Sequence, residues 1–456
     1  MPLARLSPLV APLLVIAGCA HYEPKPLIPE QTLRRLEERR LSDPDVLSRV
    51  EKLGPVTWDR AQLLVAALEI NPTLAEARAQ LAQASAALGT AREIQNPTVS
   101  LSSEYDVQKA GESPWLWGVT TDFLLAAFLG RPQRIDLAHA GLRGAQADFS
   151  EAIWTVRRDL RAALLSVMIA RKRIDALEVD LRQRTELATL ARHRVAAGES
   201  ARGEESQAQL ERSRSQAALD DARQTLEDGK SALATALGVS RDAIKEIEPH
   251  WDDLDQVAAL EPSSWLAMRD HALLSRPDLE RAVADYAARD VELRQQVRAQ
   301  YLQTSIGPGY TWDHGVRKVT LGVSFPLPIF NHNEGPIAES NAARDAAGAH
   351  AIAVQAKILS EVDTAAAGYS TALASLQRVR EQRAMNESLA VSARRALDLD
   401  GGDKPTWLTA ELAVSTDRIA EIDALDRVQQ ALGQLEDALR APITGPETRL
   451  PTLETP

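Results

Sequence analysis

Between Ile153 and Leu181 apolar residues return every seven positions, at Ile153, Leu160, Val167, Ile174 and Leu181. A second set lies three positions further on, at Val156, Ala163, Ala170 and Leu177. This is the a/d seam of a left-handed coiled coil, in which one stripe of a helix stays against its partner. A weaker seam runs through Ile358, Val362, Ala365, Tyr369, Ala372, Leu376 and Val379. Alanine at many of these positions lets helix backbones approach closely. Elsewhere the period is two. Val319, Leu321, Val323 and Phe325 alternate with Lys318, Thr320, Gly322 and Ser324. Trp115, Trp117, Val119, Thr121 and Phe123 share one face of a second segment, and Val99, Leu101, Tyr105 and Val107 one face of a third. Such alternation with aromatics near the ends is the pattern of an outer-membrane strand, apolar toward lipid and polar toward a lumen. It also fits two half-buried hairpins in a soluble sheet.

The pattern is written twice. Asn71-Pro72-Thr73-Leu74 aligns with Arg276-Pro277-Asp278-Leu279 at an offset of 205, which also brings Tyr105 onto Tyr310. After a three-residue contraction the offset is 202, and Phe123, Leu125 and Phe128 meet Phe325, Leu327 and Phe330. Each copy predicts a helix (59–95; 264–300), a strand pair (98–107 and 115–125; 303–312 and 317–327), a long helix (133–195; 336–398), a short break and a return helix (203–238; 405–440). At about 1.5 Å per residue the first long helix extends roughly 90 Å. A hairpin of that length must pack on something equally long. The predicted fold class is therefore mainly α with membrane β, internally duplicated, built on long antiparallel coiled-coil hairpins. Four strands cannot close on themselves, and open edges are not tolerated in a bilayer. If the strands span a membrane, several protomers share one barrel, and three copies supply twelve strands.

Composition fits this reading. Hydrophobic residues make up 45% of the 456-residue chain and charged residues 25%, which excludes a disordered or wholly lipid-embedded protein. Past the N-terminus no apolar run approaches the ~20 residues of a transmembrane helix. The net charge of -12 argues against a nucleic-acid partner, which demands a basic face. The only cysteine, Cys19, follows Ile16-Ala17-Gly18 at the end of an apolar stretch preceded by Arg5. That is a lipoprotein signal, with residues 1–18 removed and the thiol of Cys19 acylated. Ala20, not Asp, stands next, which favours the outer membrane. An ordinary secretory signal containing a cysteine is the alternative. Residues 19–56 then form a lipid-anchored tether and N-terminal segment, 57–240 the first repeat, 241–263 a linker, 264–440 the second repeat and 441–456 a disordered tail.

Candidate chemistry is sparse. Asp398, Asp400 and Asp403 crowd the second hairpin tip; in a trimer they make rings of carboxylates, a cation-attracting gate. A solvated turn beside Gly401-Gly402 is the plain alternative. Gly198 and Gly401-Gly402 are expected to supply the positive φ that reverses a helix. His314 and His332 flank the second strand pair, but no cysteine partner or i, i+4 histidine pair accompanies them, so no metal site is predicted. No nucleophile elbow, phosphate loop or zinc-protease motif occurs, and neither enzyme activity nor a cofactor is expected.

Several segments together resemble the outer-membrane efflux proteins of the TolC family over about residues 57–440. They are Asn71-Pro72-Thr73-Leu74, Asn96-Pro97, Gly130-Arg131-Pro132-Gln133-Arg134, and the tip from Arg192-His193-Arg194 to Gly198-Glu199-Ser200. The resemblance implies a homotrimer in the outer membrane of a Gram-negative bacterium, with a β-barrel continuous with an α-helical barrel across the periplasm. It also implies a periplasmic adaptor docked at the tips, around Arg194, Gly198, Ser200, Gly401 and Gly402, and an inner-membrane pump of the RND type. The stretch from Phe325-Pro326-Leu327-Pro328 through Asn331-His332-Asn333-Glu334-Gly335 is similar to the CzcC-like branch, which serves heavy-metal efflux. The first tip, Ala201-Arg202-Gly203-Glu204-Glu205, is more polar than the family's. Drug export, type I protein secretion and a lipid-anchored periplasmic coiled-coil spacer remain the alternatives.

Overall fold

The computed structural model describes residues 22–107, 113–257, 259, 262–302, 304–313, 315–327, 329–399 and 401–450. Cys19, His314 and Asp400 lie outside them. Two short helices, α1 (Pro29–Glu38) and α2 (Pro44–Val50), precede the first repeat. That repeat comprises α3 (Arg60–Ile70), α4 (Pro72–Arg92), β1 (Thr98–Tyr105), β2 (Trp115–Leu124), the short α5 (Leu125–Leu129), α6 (Arg131–Ala196) and α7 (Arg202–Leu237). After α8 (Arg241–Ile244) the second repeat runs through α9 (Pro262–Ser275), α10 (Pro277–Leu302), β3 (Ser305–Asp313), β4 (Val316–Ser324), α11 (Glu334–Asp398) and α12 (Lys404–Leu439). No helix among the described residues is long and apolar enough to cross a membrane.

The long helices and strands lie within a few residues of their predicted spans, and the heptad seam is real. Ile153, Val156, Leu160, Ala163, Val167, Ala170 and Leu177 are all buried. So are Ile358, Val362, Tyr369 and Leu376 in the second copy. The helices expected over 59–95 and 264–300 are each two, parting at Asn71-Pro72 and Arg276-Pro277. Proline lacks the N–H that a continuing helix needs and biases the preceding residue away from helical backbone angles. Asn71 sits at φ -66, ψ 124, and its side-chain oxygen accepts from the N–H of Thr73 and Leu74 as an N-cap. In both copies the residue before the proline also reaches the return helix. Asn71 Nδ2 donates to the Ala236 carbonyl at 2.7 Å, and Arg276 Nη1 to the Ala438 carbonyl at 2.9 Å. Gly238, at φ +76, ends α7 so close to Pro72 that a Cβ would stand 2.3 Å from its Cδ.

Two segments are more ordered than the sequence suggests. The linker over 241–263 carries α8 and buries Trp251 and Leu254 in the main core. The tail expected to be disordered over 441–456 is corrected in its described part, residues 441–450. Those residues fold back on the helices, with a 3-10 turn at Pro446–Arg449. The N–H of Ile443 donates to Glu436 Oε1 at 2.8 Å, and Glu447 is buried. Buried charges hold this tail in place together with Ala441, Ile443 and Leu450, which pack against the main core.

The four strands form one antiparallel sheet in the order β1-β2-β3-β4. The pairing of β2 with β3 joins the two repeats, and β1 and β4 are left as edges. Each repeat then sends its long hairpin away from the sheet, α6 with α7 and α11 with α12, and α6 packs along α12.

Candidate functional site: a two-faced sheet and two hairpin tips

The register sorts the strand side chains onto two opposite faces. Leu101, Val119, Tyr310 and Val319 lie in one row across all four strands. Phe123, Ile306 and Val323 form another, and Tyr105 pairs with Trp115 at the end remote from the helices. Their ring centroids are 4.8 Å apart, and Trp115 stacks on Trp117 at 5.6 Å. This face is bare: Val319 is 86% exposed and Leu101 79%. Continuous apolar surface of this kind requires a covering partner.

The opposite face is polar and small. Ser100, Thr120, Gly309 and Thr320 make one row, and Ser102, Gly118, Thr311 and Lys318 the next. It is also crowded. A Cβ on Gly118 would lie 2.5 Å from Ser102 Oγ, and one on Gly309 would lie 2.6 Å from Thr320 Oγ1 and 2.9 Å from Thr120 Cγ2. Side chains crowd the glycines of the polar face, whereas the apolar face stands clear. Nearer the helices Asp122 pairs with Thr98, and a Cβ on Gly307 would meet its carboxylate at 2.9 Å. At the far end Lys318 pairs with Asp313.

Both hairpin tips lie at the other end of the molecule, joined by an ion pair of 2.5 Å between Glu186 on α6 and Lys404 on α12. At the first tip Gly198 has the expected positive φ, +78, and the Glu199 N–H donates to the Arg194 carbonyl at 2.8 Å. Arg194 lies 3.9 Å from Glu204, and Arg192 3.7 Å from Glu205, across the turn. The Ser200 hydroxyl is buried without a hydrogen-bond partner. At the second tip the Gly401 N–H closes α11 on the Ala396 carbonyl at 2.9 Å. Gly402 serves a close approach rather than a positive φ, since a Cβ would stand 3.1 Å from Ala396 Cβ. Asp398 is ion-paired with Arg394 at 3.1 Å, and Arg394 covers the Trp407 ring at 4.8 Å. Asp403 caps α12, accepting from the Thr406 N–H at 2.8 Å; those Thr406 contacts hold its carboxyl below the usual range. The capping role, which a one-dimensional reading missed, is signalled by Asp403-Lys404-Pro405.

Also missed is a buried ionic belt where the helices meet the linker and the C-terminal segment. Glu436, wholly buried, lies 2.9 Å from Arg157 Nη2 and 3.2 Å from Arg161 Nε, and Glu447 also pairs with Arg157. Arg60 pairs with Asp253 at 2.9 Å, and both Arg60 and Arg161 cover the Trp251 ring. Burial opposes ionisation of Glu436, but the guanidiniums of Arg157 and Arg161 prevail and hold its carboxyl below the usual range. Sequence gives no signal for these partners, because they lie as far as 290 residues apart. No group of three or more His, Cys, Asp and Glu among the described residues could hold a metal ion.

A duplicated chain with a two-faced four-stranded sheet and two long helical hairpins has the fold of solved outer membrane channels. The outer membrane efflux protein family matches residues 63–239. Its relatives are efflux channels, not enzymes. Cobalt-zinc-cadmium resistance protein CzcC of Cupriavidus metallidurans is 26% identical over 289 residues, 62% of this chain and 66% of that protein, so the match spans just under two thirds of the relative. The fold is similar to that of the outer membrane protein VceC from Vibrio cholerae, with a TM-score of 0.66 and 18% identity over 84% of this chain and 97% of that one. It is similar also to the open state of the MtrE outer membrane channel of Neisseria gonorrhoeae, with a TM-score of 0.66 and 17% identity over 86% and 90%.

Proposed function

We propose that three copies of this chain form a passive duct that carries heavy-metal cations out through the outer membrane. The observation that carries the reading is the sheet: a bare apolar face, a crowded polar face and two unpaired edges. A bilayer covers the apolar face, and β1 of one copy pairing with β4 of the next satisfies the edges. Twelve strands then enclose a polar lumen that the helical hairpins continue into the periplasm. At the tips a periplasmic adaptor and an inner-membrane pump of the RND type dock, around Arg194, Gly198, Ser200, Gly401 and Gly402. The chain itself supplies no energy. Asp398, Asp400 and Asp403 supply carboxylates to that mouth, where mutual repulsion, the pairing of Asp398 with Arg394 and the capping of α12 by Asp403 bias the gate. The metal assignment draws on the likeness to CzcC and on the Phe325–Gly335 stretch.

Acylated Cys19 anchors each copy, and chain length supports this. Arg39 Nη1 fastens the N-terminal arm to the Ile70 carbonyl at 2.7 Å, at one end of α4. The sheet lies beyond the other end, about 32 Å away along the 21 residues of α4. Fully extended, the ten residues from Cys19 to Pro29 would span at most ~33 Å, and α1 adds ~15 Å, enough for the lipid to reach the membrane.

The test is a tolerance panel on a deletion strain complemented with the intact gene, covering Zn, Co, Cd, Ni, Cu and Ag salts beside dyes, detergents and antibiotics. Selective loss of divalent-metal tolerance is expected. Unchanged metal tolerance with new drug sensitivity overturns the metal cargo and keeps the duct. A Cys19→Ser protein that becomes water-soluble, with no heat-modifiable trimer, overturns the duct in favour of a periplasmic spacer.

A further inference from the structure

Each hairpin holds one buried carboxylate that ties its two helices together, and the duplication places the two clusters at equivalent positions. In the first hairpin Asp180 of α6, 3% exposed, accepts from Ser215 of α7 at 2.7 Å and from Arg184 at 2.7 Å. In the second, Asp417 of α12, 4% exposed, accepts from Gln382 of α11 at 2.7 Å and from Asn386 at 2.5 Å. At the offset of 202, positions 180, 184 and 215 are positions 382, 386 and 417. The same three stations are occupied, but the acid has moved from the outgoing helix to the return helix. A polar cluster kept at one level in both halves while its residues change points to a constraint on that level.

The level divides each hairpin into two regimes. On its sheet-ward side apolar residues are buried along every helix, among them Leu177, Leu219, Leu376 and Leu425. On its tip-ward side the core thins out. Among the described residues there, Ala188, Ala390 and Leu408 are the buried apolar ones. About 20–24 Å of helix lies between the clusters and the tips. The acid-bearing helices α6 and α12 are also the two that pack on each other. Ile419 of α12 rests against the Leu177–Leu219 cluster, and Glu186 and Lys404 continue that contact to the tips.

We propose that the two clusters are the hinge of the gate. The α6–α12 pair is a fixed spine, Asp180 and Asp417 strap α7 and α11 to it, and below the straps the ends of α7 and α11 swing outward when the duct opens. Buried polar pairs fix register in coiled coils because a slipped helix leaves them unpaired. The thin core below them gives the tips the low local stability that a moving element needs. The inference rests on reading the tips as a gate.

Hydrogen exchange on the detergent-solubilised full-length protein tests it. Amides over 202–214 and 387–399 should exchange at least about tenfold faster than those over 219–237 and 358–379, with a step at the clusters. In Asp417→Ala the step in α11 should move toward the sheet while that in α7 stays; Ser215→Ala, the milder change, should do the reverse. Protection that varies smoothly through residues 215 and 386, or a step that neither variant moves, overturns the hinge. In planar bilayers Asp417→Ala should open severalfold more often than the wild type. If the step moves and the opening does not change, the hinge falls and the duct stands. A wild-type protein that never conducts overturns the duct and the hinge with it.

Discussion

Glu436 is fully enclosed and faces two guanidiniums, with its second oxygen accepting from the Ile443 N–H. Taking its charge away leaves Arg157 and Arg161 short of a partner in a dry site, and breaking a buried pair in this way costs about 3–5 kcal/mol. Glu436→Gln is therefore expected to lower the unfolding midpoint strongly and to loosen residues 441–450, which limited proteolysis would detect. The pH dependence has a definite sign. Because the folded-state carboxyl is held below its ordinary value, its stabilisation is fully present above about pH 4.3, the ordinary glutamate pKa, and is lost as pH falls through the depressed value. Glu436→Gln should flatten the acid limb of the wild-type stability profile; an acid limb identical to wild type would show that the pair contributes nothing. Neither Glu436 nor Glu447 stands out in the sequence, where each is one acid among 64 Asp and Glu.

Among the elements, periodicity carried the prediction wherever a residue's environment is set by its near neighbours. The seam from Ile153 to Leu177 and the alternation from Val316 to Ser324 are of this kind. The helix breaks at Asn71-Pro72 and Arg276-Pro277 were legible in the prolines but were overridden by the continuous helical composition around them. The glycines of the sheet were not assigned a role, because their purpose is a neighbour on another strand. Gly309 faces Thr120 and Thr320 from both sides. Gly309→Val drives a branched side chain into that space, and overpacking of this sort costs about 1–3 kcal/mol. The expected outcome is loss of the heat-modifiable trimer on gels with the helix content by circular dichroism retained; a normal trimer would mean that the polar face is not the crowded, inner one.

In the whole molecule, the proposed trimer would bring three Asp122 side chains, one from each sheet, around one lumen. They lie on the polar face at the helix-proximal end, remote from the Lys318–Asp313 pair. A ring of carboxylates favours cations at such a throat. Asp122→Asn should therefore reduce the cation preference read from the reversal potential in a salt gradient, with single-channel conductance roughly kept. Unchanged selectivity would place the selecting charges elsewhere, at the Asp398–Asp403 tip first.

The sequence by itself determined the duplication, the lengths of the helices and strands, the two faces of each strand and the positive φ at Gly198. Each follows from spacing along the chain, since a period of two or seven residues fixes which side chains share a face. Only the tertiary structure decided that β2 and β3 join the repeats into one sheet, that the C-terminal segment folds back on Arg157, and that Asp180 and Asp417 tie the hairpins at one level. Those outcomes depend on which distant segments meet, and the desolvation of a charge or the fit of a glycine is settled only by the partner that arrives.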